Sequence, residues 1–253
     1  MMSLLQNPWI VAIALNSILL AIAAIAPKKL LTPAGLIHAG ILGVLLWGTL
    51  GWRGYLVMMV YFLVGSGVTR IGMVEKEAAG IAEKRSGARG PENVWGSALT
   101  ATICAIAAYF LTPTQPQFVP FLLLGYVASI STKLSDTCAS EVGKAYGKRT
   151  FLITTLQAVE RGTEGAVSLE GTIAGLVGSL VIAIAGWAVG LIDATGIAIC
   201  VVAAFVATNL ESVIGATLQN RFDWLTNELV NIFNTLIGAG VAIVLLFVLH
   251  GLT

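Results

Sequence analysis

Residues 229–250 read LVNIFNTLIGAGVAIVLLFVLH, a run that contains no Asp, Glu, Lys or Arg. About 20 consecutive apolar residues form a helix long enough to cross the roughly 30 Å of a bilayer core. This stretch therefore predicts a transmembrane helix. Seven similar stretches precede it, at 8–26, 35–51, 54–73, 94–112, 118–140, 171–191 and 194–215. The stretch 35–51 is short and contains His38, so the sequence is compatible with seven or eight crossings.

The composition of the whole chain indicates the same class of protein. Of its 253 residues, 57% are hydrophobic and 11% are charged, whereas a soluble domain has roughly 25% charged residues. A soluble globular protein and a disordered protein are both excluded. The net charge of +1 provides no basic surface for nucleic acid. Eight spans leave about 90 residues for all connections, so we expect a single integral membrane domain over residues 1–253.

The distribution of basic residues predicts the orientation of the helices. With the N-terminus outside, thirteen of the fourteen Lys and Arg residues, including Lys28, fall on the inner face, and only Arg53 lies opposite. Twelve of the thirteen acidic residues fall on the same face, Asp193 being the exception. We therefore predict an all-α, polytopic transmembrane helix bundle. Its cytoplasmic or stromal face would carry two long charged loops, at 74–93 and 141–170.

Polar side chains recur at helical spacing in two of the predicted spans. They are Ser129, Thr132, Asp136 and Ser140 in the fifth span, and Asn227, Asn231, Asn234 and Thr235 in the eighth. Steps of three and four residues place each set on one helix face. A single polar stripe is equally typical of hydrogen bonds between membrane helices. Because ionisable residues at membrane depth rarely lack a role, their convergence with Glu211 of the seventh span favours a functional site.

The two loops and the polar stripes combine carboxylates, basic residues and glycines. Mg²⁺ is usually held by one or two carboxylates together with phosphate oxygens. Arg and Lys neutralise the remaining phosphate charge, and glycines allow backbone N–H groups to approach it. The sequence therefore predicts a metal–polyphosphate site on the inner face. On an unbroken helix, Asp136 and Glu141 would point about 140° apart, so they would share an ion only if the helix broke between them.

Several polar motifs occur in a distinctive order along the chain. They are GIAEKRSGARGPENV (80–94), SDTCASEVGKAYGK (135–148), LITT (152–155), RGTEGAVSLEGT (161–172), NLESVIGA (209–216) and NELVNIFNT (227–235). This ordered set resembles the phytyl-phosphate kinase family of integral membrane proteins, from about residue 30 onward. The second loop is more distantly similar to the CTP-dependent dolichol and phytol kinases, although Thr163 stands one position late in their pattern.

The resemblance implies an activity. A nucleoside triphosphate, CTP or another, would phosphorylate a prenyl monophosphate to the prenyl diphosphate. In phototrophs the expected substrate is phytyl phosphate, and its product serves tocopherol and phylloquinone synthesis. The nucleophile is a phosphate oxygen that is already ionised at pH 7, so no general base is required, in contrast to an alcohol kinase.

The resemblance also implies roles for individual residues. Asp136, with Glu141 or Glu164, would hold Mg²⁺ on the nucleotide. Its phosphates would be bound by the segment that contains Gly143, Lys144, Gly147, Lys148, Thr163, Glu164 and Gly165. Arg85 and Arg89 would bind the prenyl phosphate or the transferring phosphoryl group, and Asn93 would order their loop. The remaining residues expected to line the substrate cavity are Lys84, Ser140, Glu211, Asn231 and Asn234.

Two other functions remain open from the sequence. One is a related enzyme, either a CTP-dependent prenyl alcohol kinase or a cytidylyltransferase that acts on a lipid phosphate. The other is a transporter, but transporter sites lie near the bilayer midplane, whereas the charges here cluster at one end of the spans. We expect a multi-pass protein of a bacterial plasma or thylakoid membrane, such as a cyanobacterial one, with a cytoplasmic active face. Its partners would be the nucleotide, the prenyl phosphate and the lipid bilayer.

Overall fold

The computed structural model describes residues 7–27, 29–219 and 221–251, so Lys28 lies outside the described residues. Within these ranges, seven helices are long and apolar enough to cross a membrane. They are α1 (Pro8–Ile25), α2 (Pro33–Thr69), α4 (Pro91–Leu111), α5 (Val119–Tyr146), α6 (Leu169–Ala188), α7 (Ala194–Ile214) and α8 (Asn227–Gly251). The predicted all-α, polytopic fold is confirmed. Except in α2 and at the end of α5, the helix limits agree with the predicted spans to within three residues.

Helix α2 reverses its direction at Gly51. This glycine has φ +64° and ψ −158°, a conformation that is essentially restricted to glycine. In a straight helix, Gly35 and Gly65 would be about 45 Å apart. Both instead pack against Arg89, since a Cβ on Gly35 would lie 2.3 Å from the Arg89 carbonyl oxygen and one on Gly65 would lie 2.9 Å from its guanidinium. The arms 33–50 and 52–69 are therefore antiparallel, and the described residues contain eight apolar segments of spanning length.

Helix α5 occupies the centre of the bundle. It contacts α2, α4, α6, α7 and α8, and every residue from 124 to 135 is buried. Glycines of α6 allow a close approach to α5: a Cβ on Gly171 would lie 2.6 Å from the Ala139 carbonyl oxygen, and one on Gly175 would lie 3.0 Å from Ser135 Oγ. Small residues commonly permit such close approach between membrane helices. The polar stripe of α5 is thereby surrounded by other helices.

The two charged connections, on the face that the sequence predicts to be the inner one and called the inner connections from here on, are more ordered than loops. The first contains a short helix, α3 (Met73–Ala78), and a 3-10 turn at Lys84–Gly87. The second contains an antiparallel hairpin of β1 (Thr150–Leu152) and β2 (Ala166–Ser168). The second connection begins at residue 147 instead of the predicted 141, because α5 continues without a break to Tyr146. With 28 residues, α5 is about 42 Å long, so its last turns extend beyond a core of about 30 Å.

Candidate active site

The inner ends of the helices surround a cavity of about 890 Å³. Its wall includes residues of α2, α4, α5, α6, α7 and α8 and of both inner connections. Helices α4, α6 and α8 begin at this face and contribute residues of their first turns to the wall. Unpaired N–H groups at helix N-termini favour anions. The backbone thus adds to the positive potential that the basic side chains of the wall supply.

Charged side chains dominate this cavity. Among the residues that the structure describes, its wall contains five basic side chains (Lys84, Arg85, Arg89, Lys133 and Lys144) and seven acidic ones (Glu83, Glu92, Asp136, Glu141, Glu164, Glu211 and Glu228). A free polyanion would be repelled by the excess of carboxylates. A phosphate that is accompanied by a divalent cation would instead find a partner for each of its charges.

The cavity brings together fourteen of the seventeen residues predicted from the sequence. They are Lys84, Arg85, Arg89, Asn93, Asp136, Ser140, Glu141, Gly143, Lys144, Thr163, Glu164, Gly165, Glu211 and Asn231. Asn234 lies behind this wall, where its Nδ2 donates to Glu211 Oε2 at 2.5 Å. Gly147 and Lys148 line a smaller neighbouring cavity of about 420 Å³. Lys144 borders both cavities.

The deepest charges of the cavity belong to a cluster of α5, α7 and α8. Lys133 Nζ donates to Asp136 Oδ2 at 2.5 Å and to Asn231 Oδ1 at 2.6 Å. Glu211 is close enough to Asp136 for their carboxyl groups to interact electrostatically. Two neighbouring ionised carboxylates repel each other, and the Lys133 ammonium is the one cation of the described residues that contacts Asp136, so a divalent cation would add to the neutralisation of the pair. The arrangement is therefore suited to a metal ion.

Glu141 points away from this cluster. It forms an ion pair with Lys76 of α3, and the two side chains are only 2% and 1% exposed. Lys76 Nζ also donates to the Thr69 carbonyl oxygen at 2.9 Å. Because α5 is unbroken between Asp136 and Glu141, the two carboxylates serve different groups and do not face one ion together. The second oxygen of Glu141 lies 3.9 Å from Lys144 Nζ.

The two arginines of the first connection differ in their surroundings. Arg85 lies at the cavity mouth with a side chain that is 44% exposed, and it forms an ion pair with Glu92. Its guanidinium also donates at 2.9 Å to Asn93 Oδ1, which accepts the N–H of Gly90 at 3.0 Å. Arg85 has φ +56°, a left-handed conformation that costs energy for a non-glycine residue. The amide of Asn93 thus contacts both the start of α4 and the Arg85 side chain.

Arg89 is held more rigidly than Arg85. Its guanidinium donates to Tyr61 Oη at 2.7 Å and lies 5.0 Å from the centre of that ring. Its backbone pairs with the segment before α2: Thr32 N donates to the Arg89 carbonyl oxygen, and Arg89 N donates to the Leu30 carbonyl oxygen, each at 3.0 Å. Arg89 is therefore a fixed cation, whereas Arg85 can move toward a ligand.

The glycines of the second motif have a packing role in this structure. The N–H of Gly147 donates to the Gly143 carbonyl oxygen at 2.9 Å, so it is not free to bind a phosphate. A Cβ on Gly143 or Gly147 would lie 3.3 or 3.2 Å from Ser168 Oγ. Ser168 Oγ caps α6 by accepting the Gly171 N–H at 3.1 Å. Phosphate contacts in this region would therefore come from Lys144 and Lys148.

Three residues of the site had no role in the sequence analysis. A lysine within an apolar span is itself a signal of function, and Lys133 could have been identified in this way. Lys76 stands among the alternating charges of a loop, where exposed side chains are the rule. Tyr61 lies in an apolar span, and nothing in its sequence context indicates a partner for Arg89.

Fold and site together define an integral membrane protein with a large charged cavity at one end of its helices. The chain belongs to the family described as Integral membrane protein DUF92, which it matches over residues 16–239. The family resemblance found in the sequence motifs is thereby confirmed.

Several relatives cover most of the chain. An uncharacterized membrane protein of Synechocystis sp. is 69% identical over 239 residues, which cover 94% of this chain and 92% of that protein. Protein VTE6, chloroplastic, of Arabidopsis thaliana is 41% identical over 249 residues, which cover 96% of this chain and 74% of that protein. An uncharacterized membrane protein of Methanocaldococcus jannaschii is 30% identical over 239 residues, with 93% and 95% covered. No solved structure matches the chain.

Proposed function

We propose that this protein is a nucleoside-triphosphate-dependent kinase that converts a prenyl monophosphate, phytyl phosphate, to the prenyl diphosphate. The observation that carries this proposal is the cavity of about 890 Å³. It is lined by cationic and carboxylate side chains at the inner helix ends and by apolar side chains further within the spans. A lipid phosphate likewise has a charged part and an apolar part, since its head lies at the membrane interface and its chain lies in the hydrocarbon core. The cavity thus matches an amphipathic substrate.

Two of the three relatives described above come from phototrophs and support a substrate found there. One is a chloroplast protein of Arabidopsis thaliana and another is a membrane protein of Synechocystis sp.. Phytyl phosphate fits this distribution, and its diphosphate would feed tocopherol and phylloquinone synthesis. We propose accordingly that the protein resides in a bacterial plasma or thylakoid membrane and that its cavity opens to the cytoplasm.

The reaction needs little covalent chemistry from the protein. An ionised oxygen of the prenyl phosphate attacks the γ-phosphorus of the nucleotide, a new P–O bond forms, and the bond to the β–γ bridging oxygen breaks to release the nucleoside diphosphate. The second pKa of a phosphate monoester is about 6, so the attacking oxygen needs no general base at neutral pH. Positioning and neutralisation of charge are the main requirements of such a transfer.

The donor set of the deep cluster fits Mg²⁺. In the described part of the chain, no three His, Cys, Asp or Glu side chains are placed so that they could hold a metal ion together. Mg²⁺, however, uses only one or two carboxylates in addition to phosphate oxygens and water. Asp136 would hold the ion together with Glu211, which adjoins it, in place of the predicted Glu141, which is paired with Lys76. Glu164 remains a further candidate in the same wall. A bound Mg²⁺ would neutralise the nucleotide phosphates and orient them.

The basic residues divide between the two substrates. Lys144 borders the smaller cavity that contains Lys148 and Arg161, so these three side chains would bind the nucleotide phosphates. Arg85 and Arg89 lie on the first connection, and they would bind the prenyl phosphate. Lys133 would stabilise the charge that develops on the transferred phosphoryl group, because its ammonium already lies against Asp136.

Product analysis on the purified protein in lipid nanodiscs tests this proposal. Phytyl phosphate and, separately, phytol are offered with Mg²⁺ and each of CTP, UTP, GTP and ATP, and the lipid products are identified by mass. We expect phytyl diphosphate from the monophosphate and no phosphorylation of phytol. Phytyl phosphate made from phytol would identify an alcohol kinase, and a nucleotide–lipid adduct would identify a cytidylyltransferase. Absence of product from folded protein would contradict all three enzymes.

A further inference from the structure

We infer that the prenyl chain enters the cavity sideways from the bilayer, between α6 and α7, and lies there against Leu176 and Phe205. This inference rests on the proposed function, because it assigns a position to the lipid part of the proposed substrate. Leu176 and Phe205 would form an apolar subsite and would determine whether the enzyme accepts substrates with long prenyl chains.

Leu176 and Phe205 differ from the other apolar side chains of the cavity. Among the described residues of the wall, they are the only large hydrophobic side chains that are more than a third exposed, at 37% and 44%. Tyr61 and Val230 of the same wall are each 3% exposed. An apolar contact surface in this cavity is therefore available at α6 and α7.

Both residues lie within the membrane-spanning part of their helices. Leu176 is seven residues beyond the start of α6 at Leu169, which corresponds to about 10 Å along the helix. Phe205 is eleven residues beyond the start of α7 at Ala194, near the middle of a helical span that continues through a π-helical turn to Gln219. Both positions lie within a bilayer core of about 30 Å, where the apolar chain of a lipid lies.

The proposed entrance adjoins the charged cluster. Gly175, next to Leu176, packs against Ser135, since a Cβ on it would lie 3.0 Å from Ser135 Oγ. Thr208 Oγ1, one turn from Phe205, donates to Ser135 Oγ at 3.4 Å. Ser135 directly precedes Asp136. A prenyl phosphate whose chain lies between Leu176 and Phe205 would therefore have its head beside Asp136 and Lys133.

Polar contacts between helices close several other sides of the cavity. Lys133 joins α5 to α8 through Asn231, and Thr100 of α4 bonds Thr235 of α8 at 2.9 Å. Arg89 connects the first connection to α2 through Tyr61. No side-chain hydrogen bond joins α6 to α7 within the described ranges. The α6–α7 boundary is thus a side at which a lipid chain would pass without breaking a side-chain hydrogen bond, and it is the side that carries the exposed Leu176 and Phe205.

Tryptophan substitutions test the entrance. Leu176→Trp and Phe205→Trp enlarge the side chains on its two walls, and Val177→Trp and Val202→Trp are matched controls. Val177 and Val202 are exposed residues of the same helices that lie outside the cavity wall. Turnover is measured in nanodiscs with phytyl phosphate and with a water-soluble five-carbon prenyl phosphate. We expect kcat/KM for phytyl phosphate to fall by roughly tenfold or more in the wall variants, with the short substrate and the controls within twofold of wild type.

Photo-cross-linking gives a measurement that does not depend on turnover. A phytyl phosphate analogue with a diazirine on its chain is irradiated with the wild-type protein, and the labelled peptides are identified by mass spectrometry. Labelling of the segments around residues 176 and 205, and its loss in the wall variants, is expected. Three results would overturn the inference that the chain enters between α6 and α7. They are an equal loss of turnover with both substrates in the wall variants, unchanged turnover in all variants, and labelling confined to other helices. The proposed kinase itself would be contradicted only by wild-type protein that makes no diphosphate.

Discussion

Lys76 and Glu141 form a buried ion pair that joins α3 of the first connection to the last turns of the central helix. The pair fixes the segment that leads to Arg85 and Arg89 against the helix that contains Asp136. The relative position of the proposed prenyl-phosphate and metal ligands thus depends on a contact between residues that are far apart in the sequence.

Removal of one partner of this pair should destabilise the protein. In Lys76→Met, Glu141 would keep a buried charge whose remaining cationic neighbour, Lys144, is 3.9 Å away, and such changes cost about 3–5 kcal/mol. We expect a lower temperature of thermal unfolding in detergent. The double variant Lys76→Met/Glu141→Leu should recover part of the loss. Glu75→Gln, an exposed change on the same short helix, should have no effect. A stable Lys76→Met protein would show that the pair does not support the fold.

Substitution of Asp136 should abolish turnover and leave the fold intact. In Asp136→Asn, Lys133 retains its hydrogen bond to Asn231, so the cluster keeps one polar contact, but the proposed metal site loses a carboxylate. We expect kcat to fall by about 10²-fold or more, with a smaller fall in unfolding temperature than Lys76→Met shows, because Glu211 remains as a counter-charge for Lys133. Tyr146→Phe, on the same helix, is the control, because Tyr146 is exposed and lies outside both cavities. Wild-type turnover in Asp136→Asn would exclude a metal role for this residue.

Lys133 should affect metal affinity and rate in opposite directions. Its ammonium lies against Asp136, where it competes with a metal ion for the same carboxylate. In Lys133→Met, we therefore expect half-maximal activity at a lower Mg²⁺ concentration, together with a kcat that is roughly tenfold or more lower. A Mg²⁺ titration of the activity measures both effects. If both the Mg²⁺ requirement and kcat remained at wild-type values, Lys133 would have no part in the reaction.

Substitutions of the two arginines of the first connection should differ in their effect on the stability of the protein. Arg85→Ala removes an exposed side chain, so the unfolding temperature should hardly change while the KM for prenyl phosphate rises. Arg89→Ala removes the contacts to the Tyr61 hydroxyl and ring, so we expect lower stability as well as lower activity. Tyr61→Phe leaves the aromatic contact and removes one hydrogen bond, worth about 1 kcal/mol. Equal loss of stability in Arg85→Ala and Arg89→Ala would contradict this distinction.

A side chain at Gly51 should destabilise the protein through the backbone alone. Nothing lies within 4 Å of a Cβ at this position, but its φ is +64°, so Gly51→Ala should cost about 1–3 kcal/mol. Gly67 lies in the same helix, also has open space around its Cβ position and lacks a positive φ. Gly67→Ala is therefore a matched control and should be neutral or slightly stabilising. Comparable unfolding temperatures for the two variants would argue against the reversal at Gly51.

The spans were predictable because hydropathy acts locally and a bilayer fixes the length of each helix. The convergence of Asp136, Glu211 and Asn231 was also predictable, since helices that end on one face bring their polar ends together. Contacts that depend on three-dimensional packing were not. The burial of Lys76 requires Glu141 beside it, and the packing of Gly143 and Gly147 depends on the approach of Ser168. Neither relationship has a signature in the local sequence.

The reversal at Gly51 also makes the number of membrane crossings even. With eight crossings, an even number, the start of α1 and the end of α8 lie on the same side of the membrane. The segment 29–32 then lies with the other inner connections, where Thr32 and Leu30 form hydrogen bonds with the backbone of Arg89. If 33–69 crossed only once, that segment would lie across the membrane from Arg89. A single glycine thus couples the orientation of the first helix to the support of an arginine that we propose to bind the substrate phosphate.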